Sequence, residues 1–285
     1  MPELWEHIAS RISDATGRTF LLKQKSAVGG GCISEAWLLE SGSGRYFAKT
    51  GRHSFEPEAS GLDALGRALK TPAVICLGSF NGINWLVLEH IDMKSGASRF
   101  DLLGEQLASM HAVSAREFGW NQDNLIGSTP QINSPSPDWI EFWKTRRLGF
   151  QFDLARKKGH AFRRAERLLE MLEAFFSDYS PPPSLLHGDL WRGNAGFDPS
   201  GRPVLFDPAV YCGDREADMA MTELFGGFPQ AFYAAYNTVL PLDPGYKTRK
   251  KLYNLYHILN HLNLFGGSYL AQAESTINDL LSEAS

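Results

Sequence analysis

Leu4, Trp5, Ile8 and Ile12 recur at helical spacing and Gly17 follows where the pattern stops, which predicts a short amphipathic helix at the start of the chain. The period then changes. Phe20 to Val28, Ala36 to Leu39 and Tyr46 to Lys49 are short runs separated by Gly29-Gly30-Gly31 and by Ser41-Gly42-Ser43-Gly44, the punctuation of an antiparallel meander. Helical period returns from Pro57 to Leu69 through Ala59, Leu62 and Leu65. Ala73 to Leu77 and Trp85 to Leu88 read as two more strands, with the turn residues Asn81-Gly82 between them. From about Phe100 the texture shifts: Leu102, Leu103, Leu107, Met110 and His111 share one helical face, and helical patterns dominate thereafter. Gly119 to Asp138, rich in Asn, Pro and Ser, reads as a loop before helical pattern resumes at Trp139. Pro181-Pro182-Pro183 cannot be helical and separates a helix over Phe162 to Phe176 from what begins at Ser184.

A β-rich first part is thus followed by an α-rich second part. The chain has 285 residues, 43% of them hydrophobic, enough for one large or two medium domains with a real core. With 28 Lys plus Arg against 32 Asp plus Glu, a general electrostatic grip on nucleic acid or an anionic membrane is not suggested, so any anion must be bound locally. Cys32, Cys76 and Cys212 are an odd count with no CxxC pair, which argues against a disulfide framework or a thiolate zinc site and fits a reducing cytoplasm. The first ten residues lack a signal peptide's basic head and apolar run, and no stretch approaches the roughly 18 apolar residues of a spanning helix.

The most informative stretch is Leu185-Leu186-His187-Gly188-Asp189-Leu190-Trp191-Arg192-Gly193-Asn194, followed by Val204-Leu205-Phe206-Asp207-Pro208. Asp189 precedes the amide of Asn194 by five positions, and Asp207 stands thirteen positions beyond Asn194 at the end of a predicted strand, a distance that a hairpin closes. Phosphoryl transfer from a nucleotide needs such a set: a carboxylate to orient and deprotonate the acceptor hydroxyl, and an amide and second carboxylate as hard oxygen ligands for Mg²⁺. The remaining parts occur in the order a kinase needs. Gly29-Gly30-Gly31 sits between strands, where backbone without Cβ can approach phosphates. It is neither a P-loop nor a dinucleotide-binding fingerprint. Lys49 ends a strand as Tyr-Phe-Ala-Lys, like the V-A-I-K lysine of protein kinases, and Glu58 at the start of the next helix is its natural partner, with Glu56 as an alternative. The strand through Glu89 emerges into a polar segment, His90-Ile91, where an adenine could bond to backbone.

The chain resembles the fructosamine kinase (ketosamine 3-kinase) family, within the aminoglycoside-phosphotransferase-like group of small-molecule kinases. His187-Gly-Asp-Leu-Trp-Arg-Gly-Asn194 matches that family's H-G-D-L-W-x-G-N. Asp207-Pro-Ala-Val-Tyr211, Gly213-Asp-Arg-Glu-Ala-Asp218, Met221 to Phe228, Asn260 to Gly267, Gly30 to Ser34 and Asn124 to Gln131 match as well, so the resemblance runs from about residue 5 to 270. It implies an α+β, protein-kinase-like two-lobed fold, with an ATP-binding N-terminal lobe over 1–90 and a mainly helical catalytic lobe over 91–285. The implied activity is transfer of the γ-phosphate of ATP, with Mg²⁺, to the 3-hydroxyl of a ketoamine, free or protein-bound, whose 3-phosphate then sheds the sugar. Asp189 is then the base, and Asn194 and Asp207 are the metal ligands. Gly29, Gly30, Gly31, Lys49, Glu58, Glu89 and Ile91 hold the nucleotide, while Trp191, Asp214 and Arg215 face the substrate.

Plainer readings stand beside these. His187 reads as structural, holding the loop through backbone, and Asp218 as a brace for it. Trp191 is either core or a platform for the sugar or its amine, whereas for Trp139, Phe142 and Trp143 helical packing is the safer reading. His257 and His261 lie four apart without the Glu of H-E-x-x-H, which disfavours a metalloprotease and leaves them as polar core residues. Cys32, beside the glycine turn, could carry a redox effect on ATP binding. The competing functions are a kinase for another small alcohol, such as an aminoglycoside or choline, and a nucleotide-binding regulator without turnover. Oligomeric state stays open.

Overall fold

The computed structural model describes residues 2–29, 34–93 and 98–284. Two compact units divide the chain: residues 1–98 with 196–207, and residues 99–195 with 208–285. Residues 196–207 group with the first unit although their short runs carry no local sign of which unit they join.

The first unit opens with α1 (Pro2–Thr16), which ends at Gly17 with φ 66°. Strands β1 (Gln24–Val28), β2 (Glu35–Ser41) and β3 (Gly44–Gly51) follow, then α2 (Glu56–Leu65), β4 (Val74–Phe80) and β5 (Ile83–Glu89). All sheet neighbours pair antiparallel, but the order is β1-β2-β3-β5-β4, not a simple meander. Because α2 intervenes after β3, the chain re-enters at the edge as β4 and fills the gap with β5. The β4–β5 turn is Asn81-Gly82 with φ 48° and 78°, the left-handed pair that a tight hairpin requires. Alternation along the strands gives the sheet two apolar faces. Ala48, Trp85 and Val87 pack with Trp5, Ile8 and Ile12 of α1, whereas Leu86 and Leu88 pack with Ala59 and Leu62 of α2. Phe47 also packs on the α2 side, so Lys49, two residues along β3, faces the same helix.

The second unit contains α3 (Phe100–His111), the hairpin β6 (Asn124–Ile126) with β7 (Thr129–Gln131), α4 (Trp139–Phe142), a π-helical turn over Trp143–Gly149, α5 (Phe150–Lys157) and α6 (Ala165–Glu170). Next come β8 (Ser184–Leu186) and β11 (Tyr211–Gly213), which pair with each other, while the intervening hairpin of β9 (Ala195–Phe197) and β10 (Pro203–Leu205) belongs almost wholly to the first unit. Helices α7 (Glu216–Leu224), α8 (Gln230–Val239), α9 (Tyr246–Phe265) and α10 (Tyr269–Glu283) complete it. The helix expected over Phe162 to Phe176 is broken into α6 and a 3₁₀ turn, Leu172–Phe176.

Trp139, Phe142 and Trp143 are buried in the core with Tyr253 and Tyr256 of α9. The polar loop expected over Gly119 to Asp138 instead contains a β-hairpin with buried amides. Asn124 donates to the carbonyl of Val210 at 2.8 Å and Gln131 to that of Ala209 at 3.0 Å, so these side chains are structural pegs beneath the segment after Asp207. Arg147, fully buried, donates to the Ile132 carbonyl and Asn133 Oδ1 and lies 4.0 Å from the Tyr211 ring centre. No helix among the described residues is long and apolar enough to cross a membrane.

Candidate active site

In the first unit, β3 directs Lys49 at α2. Its Nζ donates to Glu58 Oε1 and to Asp207 Oδ1, both at 2.6 Å. Burial alone would lower the lysine's pKa, but the two carboxylates outweigh it and hold the ammonium well above its usual range. Lys49 is therefore charged at every working pH. Glu56, the other carboxylate weighed for this pairing, is exposed, and Glu58 alone takes the role because it lies on the inner side of α2. Asp207 has φ 55°, a left-handed backbone uncommon for a residue with a side chain. Its side chain is half-exposed, whereas those of Lys49 and Glu58 are largely buried.

In the second unit, the turn after β8 carries Asp189. Asn194 Nδ2 donates to the Asp189 carbonyl at 2.9 Å and to its Oδ2 at 3.0 Å, which fixes the carboxylate's orientation. His187 is fully buried and its Nδ1 accepts the Asp189 amide at 3.3 Å. Asp218, at the start of α7, accepts the His187 amide at 2.7 Å and the Gly188 amide at 2.9 Å, and His111 of α3 meets it at 3.3 Å. Burial raises the Asp218 carboxyl, but the contacts to His111 and to the loop outweigh this and keep it below the usual range, so it stays an acceptor. Gly188 has φ 80°, and a Cβ there would stand 2.0 Å from the Ala209 carbonyl. Glycine is the residue that lets the loop pass this close.

Trp191 is 38% exposed, which excludes the core reading. Its ring meets Phe225 edge-on at 6.2 Å and covers Gly193, where a Cβ would come within 2.3 Å of the indole.

Other expected site residues fare differently. Asp214 and Arg215 are corrected from substrate contacts to internal braces. Asp214 is fully buried and accepts the hydroxyls of Tyr179 and Tyr253. Arg215 donates to Tyr236 Oη and to the carbonyls of Leu240 and Pro241. Their charges within the family-like Gly213 to Asp218 string point to chemistry, but partners distant in sequence, Tyr179 and Tyr253 for Asp214 and Tyr236, Leu240 and Pro241 for Arg215, consume both. Glu89 gives its amide to the Ala73 carbonyl at 2.8 Å, and Ile91 is half-buried just after β5. Gly29 is exposed with open space around it, while Gly30, Gly31 and Cys32 lie outside the described residues. His257 and His261 are joined through a backbone carbonyl at 2.8 Å.

Asp207 in the first unit carries a carboxylate and Asn194 in the second an amide oxygen, each a hard donor of the type that Mg²⁺ takes. No group of three or more His, Cys, Asp or Glu side chains forms a metal cage among the described residues.

A lysine bridged to a helix carboxylate under an antiparallel sheet, and an Asp held by an Asn five residues on in a mainly helical unit, define a phosphotransferase with a protein-kinase-like fold. The fructosamine kinase family model matches residues 4–283. A "Probable ketoamine kinase" of Synechocystis is 43% identical, covering 98% of each chain. A chloroplastic "Protein-ribulosamine 3-kinase" of Arabidopsis thaliana is 40% identical over 93% of this chain and 85% of its own. A "Putative fructosamine-3-kinase" crystal structure from Haemophilus somnus superposes with TM-score 0.92 at 30% identity, covering 97% of each chain. The chain belongs to the fructosamine kinase family and is a phosphotransferase. An aminoglycoside phosphotransferase at TM-score 0.63 and 13% identity, and a choline kinase at 0.63 and 16%, share the fold alone.

Proposed function

We propose that this enzyme transfers the γ-phosphate of ATP to the 3-hydroxyl of a ketoamine, a fructosamine, ribulosamine or erythrulosamine adduct of an amine, and so initiates deglycation in a reducing, cytoplasmic setting. The observation that carries the reading is the Asp189 carboxylate, held by Asn194 Nδ2 at 3.0 Å and lying two residues from a half-exposed Trp191. Asp189 orients the acceptor hydroxyl and takes its proton as the oxygen bonds to the γ-phosphorus and the bond from that phosphorus to the β–γ bridging oxygen breaks, releasing ADP. Lys49, kept charged by its two carboxylates, anchors the non-transferred phosphates. Asn194 and Asp207 carry the oxygens that would hold Mg²⁺, and the bound ion would offset the phosphate charge. Trp191 offers its face to the sugar or the amine carrier. The resulting ketoamine 3-phosphate eliminates inorganic phosphate, and water then releases the remaining sugar as a dicarbonyl and frees the amine.

Wild-type protein with MgATP, offered ketoamines of differing sugar length alongside an aminoglycoside and choline, should release ADP with one or more ketoamines and not with the others. ADP release confined to the aminoglycoside or choline would overturn the acceptor assignment. No ADP with any of them would overturn the catalytic one.

A further inference from the structure

The β9–β10 hairpin delivers Asp207, yet its own strands are only three residues long. Its fixation comes from elsewhere in the first unit. Asp198 follows β9, and its side chain is almost wholly buried. Oδ1 accepts from the amide of Ser200 at 2.8 Å, its hydroxyl at 2.5 Å and the amide of Arg202 at 3.1 Å. Oδ2 accepts from Arg202 Nε at 3.1 Å and from Lys70 Nζ at 2.9 Å. The same Lys70 offers its main-chain carbonyl to the amide of Leu205, at 2.9 Å, two residues before Asp207. One residue thus grips the hairpin twice, at its tip and at Leu205, the last residue of β10, two residues before Asp207.

Lys70 stands just beyond α2. The turn Gly66 to Leu69 is closed onto that helix by the amides of Gly66 and Leu69, which donate to the carbonyls of Leu62 and Leu65 at 2.8 and 2.9 Å. At the other end, α2 carries Glu58, the partner of Lys49. A single helix therefore sets the phosphate-anchoring lysine from one end and the hairpin of Asp207 from the other. We propose that Lys70 and Asp198 are positioning residues that fix Asp207 for its metal, coupling its placement through α2 to that of Lys49. The tether persists across working pH, because the hydrogen bonds from Ser200 and Lys70 keep the Asp198 carboxyl well below its usual range.

This inference rests on the nucleotide site proposed above, and binding without turnover tests it. ADP affinity is measured by calorimetry with and without Mg²⁺, in the absence of acceptor, for wild type, Lys70→Met, Lys70→Arg and Asp198→Asn. Lys70→Met retains the main-chain carbonyl and the aliphatic stem, so it removes only the ion pair. The Mg²⁺-dependent gain in ADP affinity should fall roughly tenfold in Lys70→Met and Asp198→Asn, at the low end of what outer-shell partners of a metal ligand contribute. Metal-free ADP affinity should stay near wild type, and Lys70→Arg should restore most of the gain. A purely structural tether would lower melting temperature and leave that gain intact in the folded fraction, which would overturn the proposal. A wild-type protein whose ADP affinity ignores Mg²⁺ would overturn the reading of the site and this inference with it.

Discussion

Asp189 shows how few atoms separate a turn residue from a reacting group. Asn194 donates to its main chain and to its side chain at once, so the carboxylate is set without help from a ligand. An amide at position 189 can accept the same hydrogen bond but cannot take a proton. Asp189→Asn should therefore melt near the wild-type temperature while kcat falls by about 10² to 10⁴, the usual worth of general-base assistance. Turnover within a factor of a few of wild type, in a steady-state assay with the best ketoamine, would remove Asp189 from the mechanism. At this scale the sequence was legible wherever spacing is short: five residues link Asp189 to Asn194, and nine link Lys49 to Glu58. It was misleading at Asp214 and Arg215, whose partners Tyr253 and Tyr236 lie 39 and 21 residues away. Nothing local announces that a charge is already satisfied by a remote hydroxyl.

Among elements, those fixed by their own hydrophobic period were readable and those fixed by partners were not. The repeat from Leu4 to Ile12 locates α1 because that face meets the sheet, and each unit's core is built from such stripes. The hairpin β6–β7 has no usable stripe, since Asn124 and Gln131 are buried on amide hydrogen bonds, and polar composition made it look like a loop. Helix contacts add a constraint that pattern alone misses. Gly104 in α3 faces α8, and a Cβ there would lie 2.3 Å from the Phe232 carbonyl, a backbone atom. Alanine favours a helix interior over glycine by about 1 kcal/mol. Forcing two packed helices apart costs about 1–3 kcal/mol, so Gly104→Ala should be net destabilised. Urea unfolding should show a lower midpoint with an unchanged slope, and a raised midpoint would mean that α3 and α8 separate freely.

For the molecule as a whole, buried titratable groups make stability respond to pH in two opposed senses. His257 on α9 is buried, and its Nδ1 has no hydrogen-bond partner among the described residues. Burial, with a smaller push from His261 and against the pull of Asp218, lowers its pKa to about 3. The unfolded chain takes up this proton near the ordinary histidine value of about 6.5. The stabilisation is thus whole above that pH and is lost as pH falls toward 3, by at most about 1.4 kcal/mol per pH unit. Glu216 acts the other way. Burial first, opposed by its ion pair with Arg249 and reinforced by the nearby Asp214, raises its carboxyl to about 7, so the folded chain keeps a proton that the unfolded one releases. Its contribution is present at low pH and is lost as pH rises through about 4.5 to 7. These slopes partly cancel in the wild-type curve, so a single pH profile cannot separate them. The difference between wild type and His257→Gln can, because Glu216 is common to both. Measured by urea unfolding at pH 7.5, 6.0 and 5.0, the advantage of wild type over the variant should shrink with each step down. An advantage that stays constant would mean that His257 keeps the same protonation in folded and unfolded chains, and the acid response would then have to come from other groups.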